Sequence, residues 1–209
     1  MKKSNNEVRI VPPVLRGVEA GSELFCELLV NDDEVDCRSF SREVVDGVDL
    51  LEVNVSSCVF REARLTDVLF ENCDLSNVDL SGSVLFRVEF RACKLMGTNL
   101  SDGVLNNVLF RHCNARYMNL SMGRLKQVLF AHGDMQGSAL ESCRLEAVAF
   151  DTCSLVEAEF SRTSLKGIDL TSSRLEGLRL GVGDLRGVIV SPVQALDLTR
   201  YLGLVVKDV

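Results

Sequence analysis

From Leu50 to Val190 an apolar side chain returns at every fifth position without a slip: 29 positions, 25 of them Leu or Phe. Two residues before each, from Val48 to Val188, the side chain is never charged and is usually small, as at Cys58, Ala63, Val68, Cys73, Val78 and Ser83. A chain with 46% hydrophobic residues does not produce this register by chance. A period of five fits neither the 3.6 of a helix nor the 2 of a strand. The predicted unit is therefore a pentapeptide, and the chain is an internal repeat.

A second period is visible when the chain is folded every 20 residues. Phe70, Phe90, Phe110, Phe130 and Phe150 then share one column, and Val68, Val88, Val108, Val128 and Val148 another. Leu65, Leu85, Leu105, Leu125, Leu145 and Leu165 form a third. Volume is compensated locally: Met118 follows the small Ala115, and Met135 takes the central position beside Gly133, as expected of an adaptable filler.

The units Cys73-Asp74-Leu75-Ser76-Asn77, Val78-Asp79-Leu80-Ser81-Gly82 and Thr98-Asn99-Leu100-Ser101-Asp102 resemble those of the pentapeptide-repeat family, whose loose pattern is Ala-(Asp/Asn)-Leu-x-x. The resemblance implies an all-β fold, a right-handed quadrilateral β-helix with one pentapeptide per side and four per coil. Two of every five side chains would point inward and stack on their equivalents in the next coil. About seven coils at the spacing of hydrogen-bonded strands give a rod roughly 34 Å long, stable because neighbouring coils cover each other's apolar edges.

Both ends need covering. After Val190, Ser191 suits an N-cap, Pro192 the first helical position and Gly203 the residue past a helix end. A short C-terminal capping helix is expected within 191–209, with an apolar stripe of Ala195, Leu198 and Leu202, and with Leu204-Val205-Val206 as a following strand. Towards the N-terminus the small site turns charged at Glu23, Asp33, Arg38 and Glu43, and charge is not buried cheaply. Residues 38–190 are therefore assigned to the β-helix, and 1–37 to a capping segment or a degenerate first coil.

The formal net charge of -7 is unevenly spread. Residues 1–50 hold 11 acids and 6 bases, residues 51–209 hold 19 and 17, and no acid lies between Gly103 and Gly133, where Arg111, Arg116, Arg124 and Lys126 form a basic belt. These few cations with little aromatic company are a weak nucleic-acid footprint. No apolar run is long enough to span a membrane. The start of the sequence has bases without an apolar stretch behind them, and the eight cysteines include no CxxC pair. A reducing, cytoplasmic setting is expected.

Neither a Ser/His/Asp set nor a phosphate loop occurs, so catalysis and cofactors are not expected. The column Cys73, Cys93, Cys113 and Cys153 includes Gly133 and Ser173, so it reads as packing rather than as a metal or redox site. His112 and His132 should stack on the outer surface without a third ligand. The outward position before the Phe column runs Leu69, Glu89, Leu109, Leu129, Ala149, Asp169, Ile189. Beside Arg91 and Arg111 it is either a partner surface or a tolerated apolar stripe, since Val59, Val84 and Val104 occupy the equivalent site on another face.

Within the family, Gln194-Ala195, Leu198 and Leu202-Gly203-Leu204 resemble the tail of Qnr-type and MfpA-like members. That resemblance implies a non-catalytic homodimer joined through Ala195, Leu198, Tyr201, Leu202 and Leu204. Its partner would be DNA gyrase or topoisomerase IV, bound by duplex mimicry and spared from quinolones. The register has no loop between 51 and 190, which is closer to MfpA-like members. The competing reading is a general protein-interaction scaffold.

Overall fold

The structure is a computed structural model, and it describes residues 8–14, 44–46, 49–51 and 54–203. Its backbone winds as a parallel β-solenoid. On one side of each coil lie strands β1 (Val44–Asp46), β2 (Asp49–Leu51), β3 (Arg64–Glu71), β4 (Val84–Arg91), β5 (Val104–Arg111), β6 (Arg124–Ala131) and β7 (Arg144–Asp151). They form a parallel sheet of order β1-β3-β4-β5-β6-β7, with β2 also paired to β3. Every pairing joins a residue to the one 20 positions on, from Val44↔Arg64 in β1 to Phe130↔Phe150 in β6 and β7. The other sides carry single bridges in the same register, ending at Asp169↔Ile189.

Pentapeptides turn corners because one residue in five leaves the extended region. From Val55 to Leu165 the residue two after each central position has positive φ, as at Asp67 (55°), Asn72 (54°), Asn77 (57°), Arg87 (53°) and Ala92 (51°). For an L-residue this conformation costs on the order of 1 kcal/mol, so the coil must hold it from outside. At two corners of a coil the amide three residues after the central one returns to the central carbonyl, as in Val78 N–H to Leu75 O at 3.2 Å and Ser83 N–H to Leu80 O at 3.2 Å. The Asp or Asn before the central residue adds a second tie. Asp74 Oδ1 accepts from Ser76 N–H, Asp79 Oδ1 from Ser81 N–H and Asn99 Oδ1 from Ser101 N–H, at 3.0–3.1 Å. These are Asx turns, and they explain why Asp and Asn favour that position.

Inside, the columns stack as predicted. Phe70, Phe90, Phe110 and Phe130 follow one another at ring-centroid distances of 4.9, 4.9 and 4.8 Å, with interplanar angles of 3°, 2° and 5°. Aromatic pairs ordinarily prefer offset or edge-on arrangements, so the backbone repeat imposes this parallel stack. Phe150 ends it by meeting Phe160 edge-on at 83°. Ala115, Met118 and Met135 are all buried, as the volume argument requires.

Two expectations are revised. The full eight-residue strand recurs through four circuits, from Arg64 to Arg144, rather than seven. Beyond it the side carrying Lys166-Gly167-Ile168 keeps only turns and isolated bridges. The cysteine column, in turn, is more than apolar filler. Cys93, Cys113, Cys143 and Cys153 donate to the carbonyls of Phe70, Phe90, Leu120 and Phe130. Ser83, Thr98, Thr163 and Ser173 do the same to Phe60, Leu75, Leu140 and Phe150. Each donor lies 23 residues after its acceptor.

The C-terminal end is closed as predicted. Helix α1 (Pro192–Leu198) begins at Ser191 with a capping box to Gln194, and a 3-10 turn (Thr199–Leu202) leads to Gly203 at φ 70°. Gln194 Nε2 donates to Leu170 O at 2.8 Å and Ser173 O at 2.7 Å, so the cap satisfies carbonyls that no further coil can reach. Leu204, with the strand expected there, lies outside the described residues.

Gly133 leaves a gap in the donor column, and a Cβ built there would meet only Cys113 O, at 3.4 Å. Gly133→Ser should let a hydroxyl reach the Phe110 carbonyl as Ser173 reaches Phe150. We expect a stability gain of about 1 kcal/mol, read as a higher urea midpoint at unchanged slope.

Candidate functional site

On the β3–β7 side, Leu69, Glu89, Leu109, Leu129 and Ala149 fall into register one coil apart. Inter-coil pairing brings these candidate residues together as the sequence suggested. Their exposure differs from expectation. Leu69 and Leu109 are each only 6% exposed and Glu89 4%, while Leu129 and Ala149 are half-buried.

Across this side lies a segment that periodicity could not reveal. Residues 8–14 form an extended strap. Val11 N–H donates to Asn107 Oδ1 at 3.3 Å, and Val14 N–H donates to Asp67 Oδ1 at 2.9 Å. Pro12 and Pro13 have no N–H, so both amides available between 11 and 14 are used. Asn107 and Asp67 are corner residues two coils apart, about 10 Å at strand spacing, the reach of three extended residues. The strap therefore runs along the rod axis, across the strands, from the β5 coil to the β3 coil. Of residues 1–37, assigned to a cap or first coil, the described part is this strap and the rest lies outside the described residues.

Charge on this side is organised around two buried carboxylates. Asp67 is fully buried, and Arg87 holds both its oxygens at 2.5 Å while stacking over Phe86 at 4.4 Å. Such bidentate pairing is what a buried carboxylate needs. Glu89 is held by Arg91 through Nη2 at 2.5 Å and Nε at 2.8 Å. Arg111, paired in register with Arg91, is exposed and makes no ion pair among the described residues. The basic belt is partly neutralised, with Lys126 on Glu146 at 2.9 Å and Arg116 on Asp134 at 3.8 Å. Strap and rod together enclose an open depression of about 680 Å³, with Val8, Arg9, Ile10 and Pro12 on one wall, Arg91 and Arg111 on the other, and Leu109 and Leu129 on the floor.

The remaining candidates sit as follows. His112 and His132 stack at 5.0 Å, and no group of three or more His, Cys, Asp or Glu suited to a metal occurs among the described residues. On the tail, Ala195 is exposed, but Leu198 is 8% exposed and Tyr201 packs against the core. These two cover the rod's end and do not face outward. The outward apolar residues of α1 are Val193, 71% exposed, and Leu196, 58% exposed. Seven helical residues are too few for a stripe in the sequence to set the phase. The side chain of Leu202 and all of Leu204 lie outside the described residues.

Cys58, Cys73, Cys93, Cys113, Cys143 and Cys153 are buried thiols in no disulfide. The hydrogen bond shared with Cys113 pushes the Cys93 thiol up to about 12 and holds Cys113 down. Burial pushes Cys143 and Cys153 up to about 11. Unfolding returns the raised thiols to the ordinary value near 9, so between about pH 9 and 11 the folded state holds protons that the unfolded state has lost. Stability conferred by Cys143 and Cys153 is then complete below pH 9 and falls as pH rises towards 11. We expect a lower urea midpoint at about pH 10.5 than at about pH 8, and no reaction of the six thiols with an aromatic disulfide in the native state at pH 8.

Comparisons with known proteins agree with this architecture. Family profiles described as "Pentapeptide repeat region" and "Pentapeptide repeats (8 copies)" match residues 83–160 and 63–102. No curated protein sequence matches the chain. Solved structures similar to it include QnrB1, titled a plasmid-mediated fluoroquinolone resistance protein, at 19% identity and TM-score 0.34, covering 83% of this chain and 96% of that one. HetL from Nostoc sp. strain PCC 7120, titled as involved in heterocyst differentiation regulation, is similar at 16% identity and TM-score 0.25, covering 74% and 92%. AT2G44920 from the Arabidopsis thaliana thylakoid lumen is similar at 13% identity and TM-score 0.33, covering 56% and 69%. With an unbroken five-residue register, a 20-residue coil and both profiles falling within it, residues 63–160 of this chain match the pentapeptide-repeat family.

Proposed function

We propose that this chain is a non-catalytic binding rod whose partner is another protein, seated against the β3–β7 side. The observation that supports it most is the depression between strap and rod. It is the place where an apolar floor, Leu109 and Leu129, meets the positive charge of Arg111, which no described residue pairs. Inward positions support the same reading, because they are filled by stacked Leu, Phe and Val and leave no room for a substrate. Partner surfaces commonly combine an apolar centre with a charged rim.

DNA gyrase or topoisomerase IV is the partner implied by the tail's resemblance to Qnr-type and MfpA-like members. A duplex mimic presents negative charge to a basic saddle. The β3–β7 side carries Arg91 and Arg111 at its middle, where the carboxylates Asp67 and Glu89 are buried in pairs, while its exposed acids Glu146 and Asp151 sit on the last strand, β7. The charge favours a general binding rod over the topoisomerase reading. In a supercoiling assay with gyrase, we expect activity and fluoroquinolone sensitivity to stay unchanged over a wide excess of this protein. A shift in drug sensitivity would assign gyrase as the partner.

The expected homodimer is also a proposal, relocated to the outward face of α1. Exposure of Val193 and Leu196 supports it, with Leu198 and Tyr201 acting as the cap. Leu196→Glu should then convert a dimer to a folded monomer by light scattering, whereas Leu198→Glu should loosen the cap and lower thermal stability by a few kcal/mol at most. Wild-type protein that already scatters as a monomer would leave the tail a cap alone.

A further inference from the structure

We propose that the depression beside the strap docks an extended acidic segment of the partner protein, in which carboxylates alternate with apolar side chains. The inference rests on the binding-rod reading and names the chemistry of what the rod binds.

The strap shows what this side accepts. A chain in extended form lies along the axis and is held by side-chain acceptors at coil corners, Asn107 and Asp67. Its hold is light: two hydrogen bonds, one of them 3.3 Å, with Val11 and Val14 about half exposed. It does not fill the apolar lane either. Leu69 and Leu109 are covered, but Leu129 and Ala149 further along remain half-buried. A second extended segment can lie over Leu129, alongside the strap and within the same depression.

Charge decides the kind of segment. Arg9 on the strap and Arg91 and Arg111 on the rod line one depression. The one carboxylate among the described lining residues is Glu89, and Arg91 engages it through two nitrogens. Arg9 and Arg111 are exposed, and no ion pair joins either to a described residue. No acid lies nearby in the chain between Gly103 and Gly133. Two cations beside an apolar floor attract carboxylates, repel a basic strand and give a neutral one no Coulombic gain. A nucleic-acid strand would satisfy the charge, but its bases would need stacking surfaces, and the floor is Leu109 and Leu129 with no aromatic ring among the described lining residues. Carboxylates interleaved with leucine-sized side chains suit both the floor and the walls.

The test uses the full chain and a fluorescent eight-residue peptide of alternating aspartate and leucine, read by anisotropy at low salt. We expect saturable binding that weakens as salt rises. Arg111→Glu and Arg9→Glu should each weaken it about tenfold or more, while Arg111→Lys retains most of it. Arg111 makes no ion pair to a described residue, so the thermal midpoint of Arg111→Glu should stay where it was. A lysine–leucine probe should bind Arg111→Glu better than the wild type. Equal binding of an asparagine–leucine probe, indifference to Arg111→Glu, or equal competition by a thymidine oligonucleotide would overturn the proposal. Capture of a protein partner that Arg111→Glu retains undiminished would sink this site and leave the binding rod standing. If the wild type captures no protein from its native cell and no probe binds, both readings fall.

Discussion

Everything in this molecule depends on placing a left-handed residue at every fifth position and holding it there by stacking. Asp67, Arg87 and Ala92 are not glycines, yet each adopts φ near 50–55°, a conformation disfavoured by about 1 kcal/mol or more. No single coil could maintain such corners. They persist because strands and bridges pair each coil with the one 20 residues on, and because Phe70, Phe90, Phe110 and Phe130 stack at the same interval. Side-chain chemistry then serves the corners. Asx residues tie the turn locally, and inward Cys, Ser and Thr donate to carbonyls one coil and a corner away.

This division of labour explains what could be read from the sequence. The five-residue period, the Phe and Val columns and the capping box at Ser191 are local or strictly periodic, so each leaves a signal. Cysteines could be recognised as inward from their register, but not as donors, because the acceptor is 23 residues away and carries no mark. The strap left no signal at all. Its contacts span 96 and 53 residues, and Val8 to Val14 show only a Pro-Pro pair. Leu69 and Leu109 could therefore be placed on the correct side but not seen to be covered. Leu198 belongs to the apolar stripe that the sequence shows, but about two helical turns do not define a phase, and only packing against the last coil shows that it faces the rod's end.

A solenoid interior that is uniformly apolar leaves function to the outside. Outer charges on the other sides pair one coil apart, as for Lys94 with Asp74. The β3–β7 side adds three features at once: buried acid pairs at Asp67 and Glu89, an apolar lane, and Arg111, which no described residue pairs. The strap links all three, since it seats on Asp67 and lines one depression with Leu109 and Arg111. A regular scaffold thus acquires one irregular face from a segment outside the repeat.

The most direct measurement is amide hydrogen exchange at Val11 and Val14 in the intact protein, followed residue by residue. If the strap seats on the corners of the β5 and β3 coils, both amides exchange well below the free-peptide rate, and Asn107→Ala releases Val11 while leaving the rod's own amides slow. Exchange of both at the free-peptide rate in the wild type would contradict the account.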